Sequence, residues 1–283
     1  MKRIIFLTVA LLIGNTLPAG AQLIHSANVT VDMVSDVLTL APRETFWVGL
    51  KLEMDEGWHT YWRNSGDSGM PTSVRWDLPE GFKAGGIHWP VPQKFNYSDG
   101  LTGYGYEGEV ILLTELTAPA KLEAGGEVTI RAKVKWLSCA EICVPGSSGF
   151  AITFRVGDGD PEIRDDVRAL FDAQREKWPV KNADWDIEAS GRENDFMLRL
   201  ISRQGQKNII TSVEFFPYRN DLIDHAARQE FIDDDSGTFT LILIRANLSN
   251  EWVQNLTGVL VMNQIAPIGE KTQGIYVDIP VFE

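Results

Sequence analysis

The chain has 283 residues, 44% of them hydrophobic, and carries 39 acidic side chains against 26 basic ones for a formal net charge of −13. That hydrophobic content supports packed cores rather than disorder, the length accommodates two ordinary domains, and the acidic balance argues against nucleic acid as a partner. The chain has only 2 cysteines, so at most a single internal disulfide can form, and a structural zinc site lacks its usual four ligands.

The first element is a targeting segment. Lys2 and Arg3 precede the apolar run "IIFLTVALLI", which ends in "LPAGAQ" with small residues at Ala19 and Ala21. This is the pattern of a secretory signal peptide, residues 1–21, with cleavage expected after Ala21. Its apolar core is too short to anchor in a bilayer, and no later stretch reaches the roughly 18 apolar residues a membrane helix needs. The expected product is periplasmic and not membrane-spanning, in a compartment where disulfides persist.

Residues 22–157 read as a first β-domain. Short alternating runs such as "ETFWVGLKLEM" and "EVILLTELTA" are separated by turn-forming stretches such as "RNSGDSGMPTS", "LPEGFKAGG" and "EAGGE", the rhythm of a β-sandwich. A helix is predicted within residues 158–179: Asp160 can cap it, Pro161 suits its first position, and Ile163, Val167, Leu170 and Phe171 share one face. Further strand-like runs, among them "DFMLRLIS", "TSVEFFPY" and "GTFTLILIRA", make residues 180–283 a second β-domain. The fold class expected is therefore all-β, two β-sandwich domains joined by a short helix. Of the 9 tryptophans most fall between Trp47 and Trp136, which places any chemistry in the first domain.

Both cysteines lie in "WLSCAEICVPG". On its N-terminal side Val128, Ile130, Ala132, Val134 and Trp136 point one way, and Thr129, Arg131, Lys133 and Lys135 the other. On its C-terminal side Phe150, Ile152, Phe154 and Val156 repeat the alternation. Two strands are thus predicted, joined by a connection from about Ser138 to Gly149. In an extended chain Cys139 and Cys143 would stand about 13 Å apart, whereas a disulfide needs Cα atoms within about 7 Å, so the segment must fold back for the bond to close. As a staple so short a loop is worth only about 2 kcal/mol. Exposed or strained disulfides are instead the readily exchanged ones. A structural bridge and a redox pair both remain open on these residues. Glu141, between the cysteines, disfavours a thiolate; Lys135 and Arg131 offset it only if the loop folds toward them.

Other chemistries leave no trace: there is no G-x-S-x-G elbow, no H-E-x-x-H, no phosphate-binding glycine loop and no EF-hand. No organic cofactor is implied.

The blocks "EGWHTYWRNSGDSGMPTSVRWDLPEGF", "IHWPVPQKF", "LTGYGYEGEVILLTEL" and "VKWLSCAEICVPGSSGFAITFRVG" together resemble the N-terminal periplasmic domain of the DsbD family of disulfide reductases, especially its ScsB-like branch. A weaker likeness, through "VEFFPYRNDLIDHAARQEF", extends to the second β-domain and includes His225, for which no chemistry is evident. The resemblance implies an immunoglobulin-like first domain, a redox pair at Cys139 and Cys143, and thioredoxin-like periplasmic proteins as partners. Full-length relatives continue into membrane-embedded and thioredoxin-like parts absent from this sequence, so a separate membrane-embedded electron donor is the expected source of electrons. "TGYGYEG" occupies the place of the family's shielding cap loop, making Tyr104 and Tyr106 the candidates for that lid. Trp58, His59 and Tyr61 fall where the family places aromatics beside the cysteines. His59 can assist proton transfer or simply pack.

Two rival functions stand beside this one. Cys139 and Cys143 as thiolates, with Met54, Met70 and His59 nearby, would suit a soft ion such as Cu(I), and ScsB-like proteins are associated with copper tolerance. In the other, the disulfide is inert and both domains serve as interaction surfaces.

Overall fold

The computed structural model describes residues 23–98, 100–182, 184–203, 209–234, 237–246, 253–266 and 269–282. The expected signal peptide, residues 1–21, lies outside them. The chain forms β1 (Ile24–Ser26), β2 (Val29–Ser35), β3 (Thr39–Leu40), β4 (Thr45–Met54), β5 (His59–Gly66), β6 (Ser73–Asp77), β7 (Lys83–His88), β8 (Gln93–Asn96), β9 (Thr102–Glu107), β10 (Glu109–Thr117), β11 (Glu127–Cys139) and β12 (Cys143–Val156). After these come α1 (Asp165–Arg175), β13 (Trp185–Gly191), β14 (Asp195–Ser202), β15 (Ile209–Pro217), β16 (Glu230–Asp233), β17 (Thr238–Ile244), β18 (Asn255–Ala266) and β19 (Gly269–Phe282). The molecule is all-β apart from the single helix among the described residues, and its first part is an immunoglobulin-like sandwich.

That sandwich closes a sheet of order β1-β2-β4-β10-β7 onto one of order β3-β12-β11-β5-β9-β8, with β6 pairing β11. Alternation puts Ile130, Ala132, Val134 and Trp136 of β11 inside, against Phe46, Val48, Leu50 and Leu52 of β4. Gly146 stands opposite Trp136 in the ladder, and a Cβ there would lie 2.2 Å from the indole. Only glycine lets that ring lie across the neighbouring strand.

The ladder between β11 and β12 continues without interruption from Glu127↔Arg155 to Cys139↔Cys143. The connection expected over Ser138 to Gly149 therefore shrinks to residues 140–142. Residues 144–149 belong to β12 instead. Beside Pro145, β12 pairs with no strand on its other side, since β3 joins it only at Arg155 and Val156, so a residue without an N–H is tolerated there.

The helix also begins later than expected. Val37 bridges Ile163, Leu38 N–H donates to the Glu162 carbonyl and Arg164 N–H to that of Asp36. These bonds hold residues 162–164 extended, so neither Asp160 nor Pro161 opens the helix; Arg164 occupies the N-cap. Val167 and Phe171 pack on Ile111 and Leu113, on the face of the first sheet turned away from the sandwich core. Gly49 leaves room for the Phe171 ring, whereas Leu170 is exposed. The helix is thus a covering layer on the first domain as well as a connection.

The second domain is one strand path, β15-β18-β19-β13-β14-β17-β16, turned back on itself so that Trp185, Leu198, Phe215, Leu260 and Ile275 meet in one core. Its β15 and β18 also reach the first domain: Phe216, Val259 and Val261 belong to the same apolar cluster as Trp62 and Tyr104. Across this seam Asn64 Nδ2 donates to the Pro217 carbonyl at 2.8 Å, and the Arg63 guanidinium lies 4.1 Å from the centre of the Tyr218 ring.

Candidate functional site

Cys139 ends β11, Cys143 begins β12, and the two are joined by a disulfide with Cα atoms 4.1 Å apart. The strands converge on this pair, and the chain reverses within Ala140, Glu141 and Ile142. The two sulfur-bearing residues differ sharply in access. Cys139 is buried at 1% exposure, whereas Cys143 is exposed and follows Ile142, which is 66% exposed at the tip.

Register decides which side chains surround the bond. Cys139 stands opposite His59 on β5, and Tyr61 lies two residues further along the same face. The Tyr61 hydroxyl is 3.9 Å from Cys143 Sγ and 3.3 Å from the Tyr97 hydroxyl, which is 2.8 Å from His59 Nε2. Phe95 of β8 stacks on the His59 ring with centroids 4.5 Å apart. A hydrogen-bonded chain thus runs from the accessible cysteine through two phenols to an imidazole, under an aromatic cover.

Sequence reasoning missed Phe95 and Tyr97. The signal was present in "TGYGYE", where glycines alternate with tyrosines. A Cβ at Gly103 would lie 2.2 Å from the Tyr97 hydroxyl, and one at Gly105 would lie 1.9 Å from the Thr60 carbonyl. One face of β9 is stripped of side chains, which admits the Tyr97 ring just past β8 and the close approach of β5.

By the same parity Tyr104 and Tyr106 point the other way. Both are buried in the sandwich core, Tyr106 donating its hydroxyl to the Pro90 carbonyl at 2.8 Å and Tyr104 bonded to His225 Nδ1 at 3.0 Å. Neither can serve as the lid expected of them. Burial raises both phenol pKa values well above the ordinary range. Trp58 is partly buried and packs against the core.

Of the soft-metal set, Met54 does not join the cysteines: its Sδ accepts a hydrogen bond from Thr60 Oγ1 on the core side of the sheet, opposite the disulfide. Met70 is exposed in the loop after Gly69, which lies against the Tyr61 ring. Among the described residues no group of three or more His, Cys, Asp or Glu is placed to hold a metal ion. Lys135 shares the Cys139 face but stands four residues back, about 13 Å along the strand, and Arg131 twice as far. The loop does not fold toward them.

Burial is the cause that lowers the pKa of His59, and it is the largest cause for His225, whose Nε2–H donates to the Asn220 carbonyl at 2.9 Å. Both rings are therefore neutral in the fold near pH 7. As pH falls through about 6.5 the unfolded chain takes up these protons first, so the stability tied to neutral rings is present above that value and lost as pH falls toward the folded pKa values. Thermal unfolding is expected at a lower temperature at pH 5 than at pH 7.5, with a smaller drop in His225→Gln. An equal drop in that variant would remove His225 from the account.

The family model for the N-terminal part of the thiol:disulfide interchange protein DsbD matches residues 29–154. No curated protein matches the chain. Among solved structures, the N-terminal periplasmic domain of ScsB from Proteus mirabilis superposes with a TM-score of 0.64 at 15% identity, covering 90% of this chain and 94% of that one. At that identity the likeness is one of fold. The CupB2 chaperone of Pseudomonas aeruginosa, at 11% identity with 86% of this chain and 100% of that one covered, has a TM-score of only 0.23 and carries no argument.

Proposed function

We propose, from the premise that residues 29–154 form a DsbD N-terminal-like domain, that this chain is a periplasmic thiol–disulfide interchange module whose Cys139–Cys143 pair exchanges two electrons with thioredoxin-like proteins. The observation that carries the reading is the asymmetry of the pair: one sulfur buried, one at an exposed tip. A staple has little to do here, because the ladder already fixes the hairpin up to the cysteines and so short a loop removes only about 2 kcal/mol of unfolded-chain entropy.

In the reduced form, Cys143 as thiolate attacks one sulfur of an oxidised partner. An intermolecular disulfide forms, the partner's disulfide breaks, and the partner's released thiolate takes up a proton. The Cys139 thiolate then attacks Cys143 Sγ, restoring the internal bond and releasing the partner's second thiol. Two electrons have left the pair, and a reduced donor, such as a separate membrane-embedded protein, runs the same steps in reverse. The Tyr61–Tyr97–His59 chain offers the Cys143 thiol proton a route to a neutral imidazole.

The test is redox equilibration of the full chain with a thioredoxin-like protein of known potential. An exchanger reaches equilibrium with it, with a potential between about −300 and −120 mV. A pair that stays oxidised below that range is a staple, and the proposal fails.

A further inference from the structure

The face of the second sheet that carries the disulfide is basic, although the chain as a whole has a net charge of −13. Arg131, Lys133 and Lys135 alternate along β11 on the side shared with Cys139, and all three are exposed. Register sets Arg75 of β6 beside Lys133, with Asp77 beside Arg131 as the single acid in this stretch. On the other flank β12 contributes Gly149 opposite Lys133 and Ala151 opposite Arg131. Small residues between long cations leave a groove of about 570 Å³ lined by Arg75, Asp77, Arg131, Lys133, Gly149 and Ala151. None of the four cations makes a salt bridge among the described residues. Seven other described cations do, Lys51, Lys94, Arg164, Arg175, Arg199, Arg203 and Arg219, while scattered ones such as Arg43, Lys83 and Lys121 likewise make none.

Unpaired exposed lysine or arginine is ordinary on a surface. Four of them on one face of adjacent strands, in an acidic chain, are not expected from solvation alone. Their spacing is also specific: alternate residues of a strand lie about 6.8 Å apart, the spacing of alternate residues in any extended peptide. Carboxylates at every second position would meet Lys135, Lys133 and Arg131 in turn. The track points along β11 to the cysteines, Lys135 being about 13 Å from Cys139.

We infer that this groove docks an extended acidic segment, with carboxylates at alternate positions, of the protein that exchanges with Cys143. The inference rests on the exchange reading and names the partner's recognition chemistry. The net negative charge of the chain disfavours an acidic partner in general, while the basic track attracts it along one line and delivers its thiol to the hairpin tip. Orientation by opposed fields of this kind acts on encounter rate and register.

Two peptides test it. The first has a cysteine followed at the fourth, sixth and eighth positions by glutamate, with glycine or serine between; its twin has glutamine at those positions. Thiol-free versions, with serine for cysteine, report binding to the full oxidised chain by fluorescence anisotropy; the thiol versions report exchange. At about 20 mM salt the glutamate peptide is expected to bind and to exchange about tenfold better than its twin, and the difference should vanish near 0.5 M salt. Arg131→Glu with Lys133→Glu should abolish the glutamate peptide's advantage over its twin, and Arg131→Gln with Lys133→Gln should reduce it. Equal binding of the two thiol-free peptides, or a preference that survives charge reversal, overturns the docking surface. If the glutamate peptide binds preferentially but neither thiol peptide exchanges, the surface stands and the exchange reading falls.

Discussion

Cys143→Ser is expected to abolish exchange with protein disulfides, while Cys139→Ser should leave a protein that reacts once and remains trapped as a mixed disulfide. The two substitutions remove the same kind of atom from the same bond, so a structural bridge would respond to them alike. They differ in position. Cys143 is exposed, whereas Cys139 sits at 1% exposure beneath the edge of β5. An incoming disulfide must align three sulfurs in line for attack, and at Cys139 the chain on either side leaves no such approach.

With Cys139 gone, the Cys143 thiol still captures a partner, but no second thiol resolves the complex. The trapped species should accumulate on non-reducing gels and disappear on reduction. With Cys143 gone, the remaining thiol should be slow toward bulky disulfides yet react with alkylating agents once the protein is unfolded. Equal trapping by both variants would sink the assignment of roles.

The proton path bears on the same step. The Tyr61 hydroxyl lies 3.9 Å from Cys143 Sγ and leads to Tyr97 and His59. The alternating glycines of "TGYGYE" are the local trace of this arrangement, but they do not name the aromatic they admit. Tyr97 lies 36 residues from Tyr61 and reaches it only because β8, β9 and β5 are neighbours in one sheet.

What the sequence does reveal is period. The alternation of β11 and of β12 beyond Gly149 is legible because one face is buried and the other wet. A pattern of that kind says which residues share a face within a strand, but not which face of the next strand joins them. Tyr104 and Tyr106 illustrate the limit. As aromatics in a glycine-rich stretch near the right place they look like a lid, yet the register Thr60↔Tyr106 turns them inward, and a shift of one residue would have turned them outward. The connection expected as far as Gly149 has a related cause. Gly146 serves the Trp136 indole across the ladder rather than a turn, and strand alternation does not report that contact.

The second domain enters the same argument through Phe216. Phe216→Ala is expected to lower stability by about 3–5 kcal/mol, the usual cost of emptying a buried phenylalanine site, and to loosen the strands beneath the disulfide as well as its own. The ring is 2% exposed and meets Tyr104 edge-on at 5.0 Å between centroids and Trp62 at 6.3 Å. Trp62 belongs to β5 and Tyr104 to β9, the strands whose opposite faces position His59 and Tyr61 and accommodate Tyr97. Buried polar bonds tie the same seam, from Asn64 to the Pro217 carbonyl and from Tyr104 to His225. A cavity at Phe216 therefore removes support from the floor of the site, not from a remote surface.

Phe196→Ala, in the second domain's own core, serves as the comparison: it should cost a similar amount while leaving β5 and β9 protected. Amide hydrogen exchange at Thr60–Asn64 and Thr102–Tyr106 distinguishes the two, with protection falling in Phe216→Ala alone. If protection there is unchanged in Phe216→Ala while the second domain weakens, the seam does not transmit. The two β-domains would then be neighbours on one chain rather than a supported site and its support.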